Sequence, residues 1–248
     1  MVSQLYSTQH YTAYTQENFL TWSKLFKNLE RAHSILACSL YLDNKEKLGL
    51  SADTIPQFSN INRVLGLYDT GWEIVAVDGI LESDTFLYLL SEKKFPVTPW
   101  IRPLANAYSY DDADMLHDLL GHVPFLLDNR FTDFIHQLGQ IVVENHFNDT
   151  ILEIVNRIYW RTIEAGVILE KGEPKVYGAA LLSSLGESAR SIRPEIPRIP
   201  FTFHECISRS FFYDREQDDY FMLNSFDQFP AIINQLQEHL TLSQINHY

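Results

Sequence analysis

The sequence predicts a single domain that is mainly α-helical with short β-strands. Apolar residues recur at steps of three and four over several long segments, the period of a helix that packs one face against a core. Extended segments are few and short. The 248 residues, 46% of them hydrophobic, can bury one substantial core, and no internal repeat, low-complexity tract or long linker divides them. A second domain is therefore not required.

The first third of the chain is predicted to begin with a leader, residues 1–14, and to continue as helices joined by polar connectors. Thr15 can cap the first helix, with Glu17 in its first turn. The apolar stripe of this helix consists of Phe19, Trp22, Leu25, Phe26, Leu29, Ala32, Ile35 and Leu36. The elements that follow are a connector from Ser51 to Ser59, a short helix through Ile61, Val64 and Leu65, and a strand from Glu73 to Val77.

The rest of the chain is predicted to alternate helices with short extended segments. Ser83 or Asp84 can cap a helix that includes Phe86. The remaining predicted elements are an extended segment from Phe95 to Ile101, helices over about Arg130–Phe147 and Thr150–Ala165, a strand and helix within Val176–Glu187, and a strand and closing helix within Tyr220–Leu236.

Charge and composition exclude several classes of protein. The chain has 19 Lys and Arg against 32 Asp and Glu, a net charge of −13 that repels nucleic acids and anionic lipid surfaces. Residues 1–14 lack the regions of a signal peptide, and no apolar stretch approaches the roughly 18 residues of a membrane span. Cys38 and Cys206 have no CxxC partner and are expected to be reduced core residues. We expect a cytoplasmic protein with no nucleic-acid or membrane partner.

The segment Asp114–Pro124 contains two histidines, His117 and His122, five residues apart. On an α-helix such residues diverge by roughly 140°, so both imidazoles can bind one ion only if the helix ends between them. Gly121 can end it, and Pro124 cannot continue it. The pair predicts a site for iron, zinc, copper or nickel, and with one carboxylate it would suit non-haem Fe(II). The alternative is that both histidines merely cap and flank a buried helix.

Other charged residues bear on this site. Asp114 and Asp118 could orient the imidazoles through their negative charge. Arg102 is either a solvated or salt-bridged arginine or one whose planar guanidinium holds a substrate carboxylate. Glu164 lies nearly opposite the apolar stripe of its helix, in phase with Trp160, so the pattern alone predicts an exposed carboxylate.

Two other enzyme classes are disfavoured. The segment Val176–Glu187 carries hydroxyls in its first helical turns but has no G-x-S-x-G elbow, which argues against a serine nucleophile. Asp118 stands where the HExxH motif has its glutamate, and the ligand spacing differs from that motif, which argues against a zinc hydrolase.

Five segments together keep the order and spacing of a known enzyme family. They are Ile55-Pro56-Gln57, Phe95–Arg102, Asp114–Pro124, Tyr159–Glu164 and Tyr177–Glu187. From about Thr21 to Leu236 the chain resembles the pterin-dependent aromatic amino acid hydroxylases, and most closely their short bacterial phenylalanine 4-hydroxylase members. The resemblance implies the aromatic amino acid hydroxylase catalytic-domain fold.

The resemblance also assigns roles to single residues. His117, His122 and Glu164 match the iron ligands, so Glu164 becomes a third ligand rather than a surface residue. The residues matched to substrate binding are Arg102, which binds the amino acid carboxylate, Trp160 and Ser183. The residues matched to pterin binding are Gly79, Leu81, Ser83, Phe86, which stacks on the pterin ring, and Asp118. The residues implied to surround the ligands are Tyr159 and Glu187.

The activity implied by the resemblance is that of a monooxygenase with Fe(II), a tetrahydropterin such as tetrahydrobiopterin, and O2 as co-substrate. Such an enzyme hydroxylates the ring of an aromatic amino acid, here L-phenylalanine to L-tyrosine. Metal and cofactor carry the redox chemistry, and the protein positions the reactants. The alternative outside enzymes is a catalytically silent metal- or pterin-binding protein. Retention of all three ligands with Arg102 and Phe86 argues against it.

The chain departs from the family at three places near the substrate pocket. Most members have Phe where this chain has Ala165, and Glu-Pro where it has Asp112-Ala113. The loop from Pro103 to Asp111 has no residue-by-residue match. Because loops carry much of specificity, hydroxylation of tryptophan, or of phenylalanine at the meta position, stays open.

The domain organisation implied by the resemblance is a catalytic domain over residues 15–248 after the leader. Nothing before residue 15 could form a separate regulatory domain, and nothing after Leu240 resembles a heptad-rich tetramerisation helix. We therefore expect a monomer.

Overall fold

A computed structural model of the protein describes residues 5–106, 113–212 and 215–245 and is mainly helical, as predicted. Its α-helices are α1 (Gln16–Leu36), α2 (Ser39–Lys47), α3 (Phe58–Leu65), α4 (Ser83–Ser91), α5 (Met115–His117), α6 (Asn129–Glu144), α7 (Asp149–Tyr159), α8 (Ala179–Ser183), α9 (Leu185–Ser191), α10 (Phe203–Ser208) and α11 (Phe229–Ile245). Its strands are β1 (Glu73–Ala76), β2 (Lys94–Val97), β3 (Val167–Glu170), β4 (Glu173–Val176), β5 (Arg198–Pro200) and β6 (Tyr220–Leu223).

The strands form two small sheets. β1 and β2 pair in parallel, with Glu73 opposite Lys94. The other sheet has the order β4-β3-β6-β5, in which β3 is antiparallel to β4 and β6 is parallel to both β3 and β5. Both sheets are too small to bury a core of their own, so the helices supply most of it.

The helix starts follow the predicted pattern in part. Thr15 caps α1 as predicted, because its hydroxyl accepts from Asn18 N at 3.3 Å and Asn18 Oδ1 accepts from Thr15 N at 2.9 Å. The predicted cap of α4 is wrong by one residue, because Glu82 precedes the helix and Ser83 is its first residue. The helix α2 was not predicted, since its nine residues carry little apolar periodicity.

The core is centred on α6, which packs against α4, α7 and α11. Gly139 allows the close approach of α4, because a Cβ at this position would lie 2.5 Å from Leu87 O. On another side of α6, the Phe134 ring stacks on Phe229 of α11 with centroids 4.1 Å apart. Within the part of the chain described here, none of the helices combines the length and apolar character needed to cross a bilayer.

The described part of the predicted leader runs along the domain. Ser7 N donates to Ala76 O at 2.9 Å. The Gln9 side chain donates to Pro56 O and accepts from Phe58 N, both at 2.8 Å. These bonds join the segment to the end of β1 and the start of α3.

His33 on α1 is a buried histidine. Its Nε2 lies 2.6 Å from Leu182 O and its Nδ1 lies 3.1 Å from the Tyr41 hydroxyl. Nε2–H therefore donates to the carbonyl, and Nδ1 accepts from the hydroxyl. Burial lowers the pKa of His33 from 6.5 to about 4.

Acid is expected to destabilise the protein partly through His33. Because its pKa is lowered in the folded state, the unfolded chain takes up a proton below pH 6.5 that the folded chain refuses until about pH 4. The contribution of neutral His33 to the free energy of unfolding is complete above pH 6.5. It falls by on the order of 3 kcal/mol as the pH drops to 4. The free energy of unfolding, measured in urea at several pH values, should fall less steeply toward acid pH for His33→Gln than for the wild type. Equal slopes would contradict the assignment.

Candidate functional site

The two histidines converge because the helix widens between them. After α5 the chain continues through Asp118–His122 as a π-turn, in which Val123 N donates to Asp118 O. In such a turn residues five apart lie on one side, so the His117 and His122 Nε2 atoms are 3.2 Å apart. The prediction that the helix ends at Gly121 is wrong.

Gly121 instead makes room for a neighbouring helix. A Cβ on Gly121 would lie 2.8 Å from Ala179 Cβ and 3.0 Å from Ala179 Cα. Only glycine therefore lets α8 come this close to the π-turn. The approach carries Ser183, the last residue of α8, to His117.

A second π-turn positions the carboxylate. It covers Trp160–Glu164 after α7, and Ala165 N donates to Trp160 O at 3.0 Å. Because the turn is wider than an α-helical one, the helical phase used for Glu164 does not apply. The side chain points into the protein and the residue is 6% exposed, so the prediction of an exposed carboxylate is wrong.

His117, His122 and Glu164 form one cluster of donor atoms within 4.8 Å of one another. Glu164 Oε1 lies 3.1 Å from His122 Nε2, and Glu164 Oε2 lies 3.7 Å from His117 Nε2. Glu164 Oε2 is buried and has no hydrogen-bond partner among the described residues. A buried carboxylate oxygen needs a partner, and two imidazoles with one carboxylate suit Fe(II). The residues fit a divalent metal ion.

Ser183 determines which nitrogen of His117 faces the cluster. The Ser183 hydroxyl donates to Ala179 O at 2.8 Å, so it can only accept from His117 Nδ1, also 2.8 Å away. The proton is thus on Nδ1, and the lone pair of Nε2 faces His122 and Glu164. Burial, partly offset by the Glu164 carboxylate, lowers the pKa of His117 to about 4. The imidazole is neutral at pH 7, as metal binding requires.

The two aspartates of the motif contact other groups. Asp114 accepts from His117 N at 3.2 Å and from Arg102 Nη2 at 2.8 Å. Asp118 accepts from Thr98 N at 2.8 Å, and burial raises its pKa to about 7. Among the described residues, no imidazole nitrogen is bonded to either carboxylate. Asp114 instead joins the backbone of the first histidine to Arg102.

All the site residues predicted from the sequence line one cavity of about 390 Å³. They are Gly79, Leu81, Ser83, Phe86, Arg102, His117, Asp118, His122, Tyr159, Trp160, Glu164, Ser183 and Glu187. Ala165 lines it too. The separate roles of these residues stay predictions, whereas their convergence on one space is a feature of the fold.

The side of the cavity near α4 is aromatic. The Phe86 ring contacts the edges of Phe95 and Tyr159, with centroids 6.0 and 5.3 Å away. Gly79 in the preceding loop has φ of +81°, a conformation that favours glycine. Tyr159 also lies nearly parallel to His122, and among the described residues its buried hydroxyl has no hydrogen-bond partner.

Glu187 connects the cavity to the sheet. Its Oε1 accepts from Tyr220 OH at 2.9 Å and from Gln217 N at 3.2 Å, and burial raises its pKa. The side chain therefore holds another wall of the cavity. Among the described contacts, none joins it directly to His117, His122 or Glu164.

Sequence reasoning missed several lining residues. They are Asn156, Ala180, Ser184, Phe212, Arg215 and Gln217 among others. No motif marks the last three, which reach the cavity only through the tertiary fold. Of the positions that depart from the family, Ala113 lines the cavity, whereas Asp112 and most of the loop from Pro103 to Asp111 lie outside the described residues.

Comparison with known proteins gives consistent matches over most of the chain. A family model described as biopterin-dependent aromatic amino acid hydroxylase matches residues 7–246. The phenylalanine-4-hydroxylase of Chromobacterium violaceum is 33% identical over 216 residues, which are 87% of this chain and 72% of the relative.

Solved structures of the same bacterial enzyme match the fold. One contains iron(III) and 7,8-dihydrobiopterin, with a TM-score of 0.89, 32% identity, and coverage of 97% of this chain and 88% of the other. Another contains iron and phenylalanine, with a TM-score of 0.85, 31% identity, and coverage of 96% and 89%. The family match includes every described residue of the cavity.

Proposed function

The chain belongs to the biopterin-dependent aromatic amino acid hydroxylases, and we propose that it hydroxylates the ring of L-phenylalanine to give L-tyrosine. One observation carries the proposal. The cluster of two histidines and a carboxylate lies in the same cavity as Arg102 and Phe86. A redox metal, an amino acid and a flat cofactor can therefore meet in one space.

In this proposal His117, His122 and Glu164 hold Fe(II). Bound Fe(II), with the tetrahydropterin, supplies the electrons that activate O2 for insertion into an aromatic C–H bond. The three side chains would supply three donor atoms to the ion, which would leave coordination positions free for reactants. The hydrogen bond from His117 Nδ1 to Ser183 fixes the orientation of the imidazole, while burial keeps it neutral.

Arg102 is proposed to bind the substrate carboxylate. Its guanidinium is buried and already pairs with Asp114, which holds it in one orientation. A planar guanidinium presents two parallel N–H groups to a carboxylate. Fixing the amino acid at this end orients its ring toward the metal ligands, an effect that can lower a barrier by several kcal/mol. Trp160 is proposed to form a wall for the ring.

The pterin is proposed to occupy the side of the cavity near α4. Phe86 would stack on its ring, while Gly79 and Leu81 of the preceding loop and Ser83 at the start of α4 would contact its edge. The nearby Asp118 carboxyl, with its pKa raised to about 7, can be protonated at neutral pH and donate a hydrogen bond. These residues exclude water from the space between cofactor and substrate.

Tryptophan is the second candidate substrate, and Ala165 favours it. This residue lines the cavity next to Glu164, at a position where a small side chain leaves space for a larger ring. Hydroxylation of phenylalanine at the meta position is the further alternative, since the same space could change how the ring faces the metal.

Product identification is the experiment that tests the proposal. The apoprotein would be loaded anaerobically with Fe(II) and then mixed in air with a tetrahydropterin and phenylalanine, tryptophan or tyrosine. We expect para-tyrosine from phenylalanine, with about one pterin oxidised per product, measured by mass spectrometry and NMR. Meta-tyrosine or 5-hydroxytryptophan as the main product would replace the proposed reaction. Bound iron without pterin oxidation would favour a silent binding protein.

We also propose a cytoplasmic monomer. Cys38 and Cys206 are free and buried, as predicted, and burial raises the pKa of each thiol to about 12. Unreactive reduced thiols are typical of a reducing compartment. Sedimentation that shows a stable tetramer would contradict the monomer.

A further inference from the structure

Arg161 lies in the second π-turn and has no role in the proposed chemistry. It is 4% exposed and stands next to Trp160, which lines the cavity. Its Nη1 donates to Asp219 Oδ1 at 2.9 Å and to Asp219 O at 3.2 Å. Its Nη2 donates to Ser210 O. One guanidinium therefore joins two positions that are nine residues apart in the chain.

The described residues between these positions form part of a wall of the cavity. We call residues 210–212 and 215–219 the wall segment, of which Phe212, Arg215 and Gln217 line the cavity. Gln217 holds the segment together, since its side chain accepts from Phe212 N at 3.1 Å and donates to Phe212 O at 2.5 Å. Gln217 N also donates to Glu187, so the middle of the segment is tied to α9.

The ends of the wall segment depend on the second π-turn. The Phe211 ring lies parallel to Trp160, with centroids 6.0 Å apart and an angle of 16°. Arg161, the next residue after Trp160, donates to Ser210 and to Asp219, the first and last residues of the wall segment. Arg209 adds a second bond to Asp219 at 3.0 Å but is itself 41% exposed. The buried bonds to both ends come from Arg161.

We propose that Arg161 is a positioning residue, which fixes the wall segment against the second π-turn and thereby shapes the end of the cavity that receives the amino acid. The inference rests on the proposed function for the identity of that substrate. Without the two-ended bond, the wall segment occupies the binding-competent arrangement for a smaller fraction of time. The apparent affinity for the substrate falls by that fraction.

The test compares Arg161→Lys with the wild type. Lysine keeps the positive charge and can pair with Asp219, but its single ammonium lacks the planar fork that reaches both ends. Arg215 lies in the wall segment and its side chain is 54% exposed. The rate of trypsin cleavage after Arg215 therefore measures how often the segment opens, and it needs neither metal nor pterin. We expect cleavage after Arg215 in the apoprotein to be about tenfold faster. We also expect KM for phenylalanine to rise about tenfold and kcat to change much less, as a loss of uniform binding requires.

Arg157→Lys is the matched control. Arg157 lies one turn earlier and donates to Arg209 O at 3.1 Å, next to the same segment, but it does not join the two ends. Its cleavage rate and KM are expected to equal those of the wild type. If Arg161→Lys gives no folded protein by circular dichroism, Asp219→Asn repeats the test from the other side, since it keeps the shape and removes the charge.

Two results would overturn the proposal. One is a wild-type cleavage rate in Arg161→Lys. The other is faster cleavage with an unchanged KM, which would make the bonds structural only. If no protein, the wild type included, hydroxylates phenylalanine, the proposed function fails. Faster cleavage in Arg161→Lys would still support the positioning of the wall segment.

Discussion

Replacement of Glu164 by glutamine is expected to abolish metal binding and hydroxylation while the domain stays folded. Glutamine keeps the shape of the side chain but loses its charge and one of the two oxygens that lie 3.1 and 3.7 Å from the histidines. Loss of an outer hydrogen-bond partner already costs roughly 10–100-fold in metal affinity, and loss of a ligand should cost more. We expect turnover below about 1% of that of the wild type, which corresponds to a rise of more than ~2.7 kcal/mol in the activation free energy. Iron content after dialysis and product formation are the measurements.

Glu153→Gln is the control for this variant. Glu153 lies on α7, the helix that precedes the second π-turn, but its side chain is exposed and pairs with Arg157. The iron content and turnover of Glu153→Gln should match those of the wild type. In the apoprotein, Glu164→Gln should unfold at a somewhat lower temperature than the wild type, because the effect of burial is outweighed by His122 and His117, which lower the pKa of the Glu164 carboxyl and so stabilise its charge in the folded state. Retention of iron with normal turnover would exclude Glu164 from the metal site.

The helices could be predicted from the sequence because their determinants are local. The apolar stripe of α1 and the cap at Thr15 need only neighbouring residues to be recognised. The histidine pair was also visible as an unusual spacing. The short helix α2 has neither a strong stripe nor a side-chain cap, and it therefore left no pattern to find.

The two π-turns could not be predicted, because what stabilises them lies elsewhere in the chain. The turn at Asp118–His122 depends on close packing of Gly121 against Ala179, which is distant in sequence. A π-turn is rare and appears mostly as a single turn at functional sites. Both turns end at a residue of the cluster, His122 and Glu164. If α-helical periodicity is assumed within the two π-turns, it therefore predicts the wrong direction for a side chain.

Glu164 shows what the family resemblance added. Periodicity predicted an exposed carboxylate, whereas the resemblance grouped it with the two histidines, and its donor atoms do lie within 4.8 Å of theirs. The wall segment shows the opposite case. Its contacts with Arg161 and Glu187 join distant positions, and neither local patterns nor the motif residues indicated them.

Gly178→Ala is expected to destabilise the fold and displace Glu164. Gly178 has φ of −66°, which any residue adopts, so the cost is steric. A Cβ there would lie 2.4 Å from both Glu164 O and Gly166 N. Backbone atoms cannot rotate away as a side chain can, and such overpacking costs about 2–3 kcal/mol. Thermal unfolding of the apoprotein should occur roughly 5–10 °C lower, and iron affinity should fall.

Gly186→Ala adds the same methyl group eight residues later and is the control. Its Cβ would have Glu216 Oε1 as nearest atom, 4.0 Å away, and the position lies within α9. Alanine is favoured in a helix by up to about 1 kcal/mol, so this variant should be as stable as the wild type or more stable. The difference between the two variants therefore measures how tightly α8 begins against the backbone of Glu164. Equal unfolding temperatures would mean that the backbone of Glu164 shifts to accommodate the added methyl group at little cost. The position of Glu164 would then not depend on Gly178.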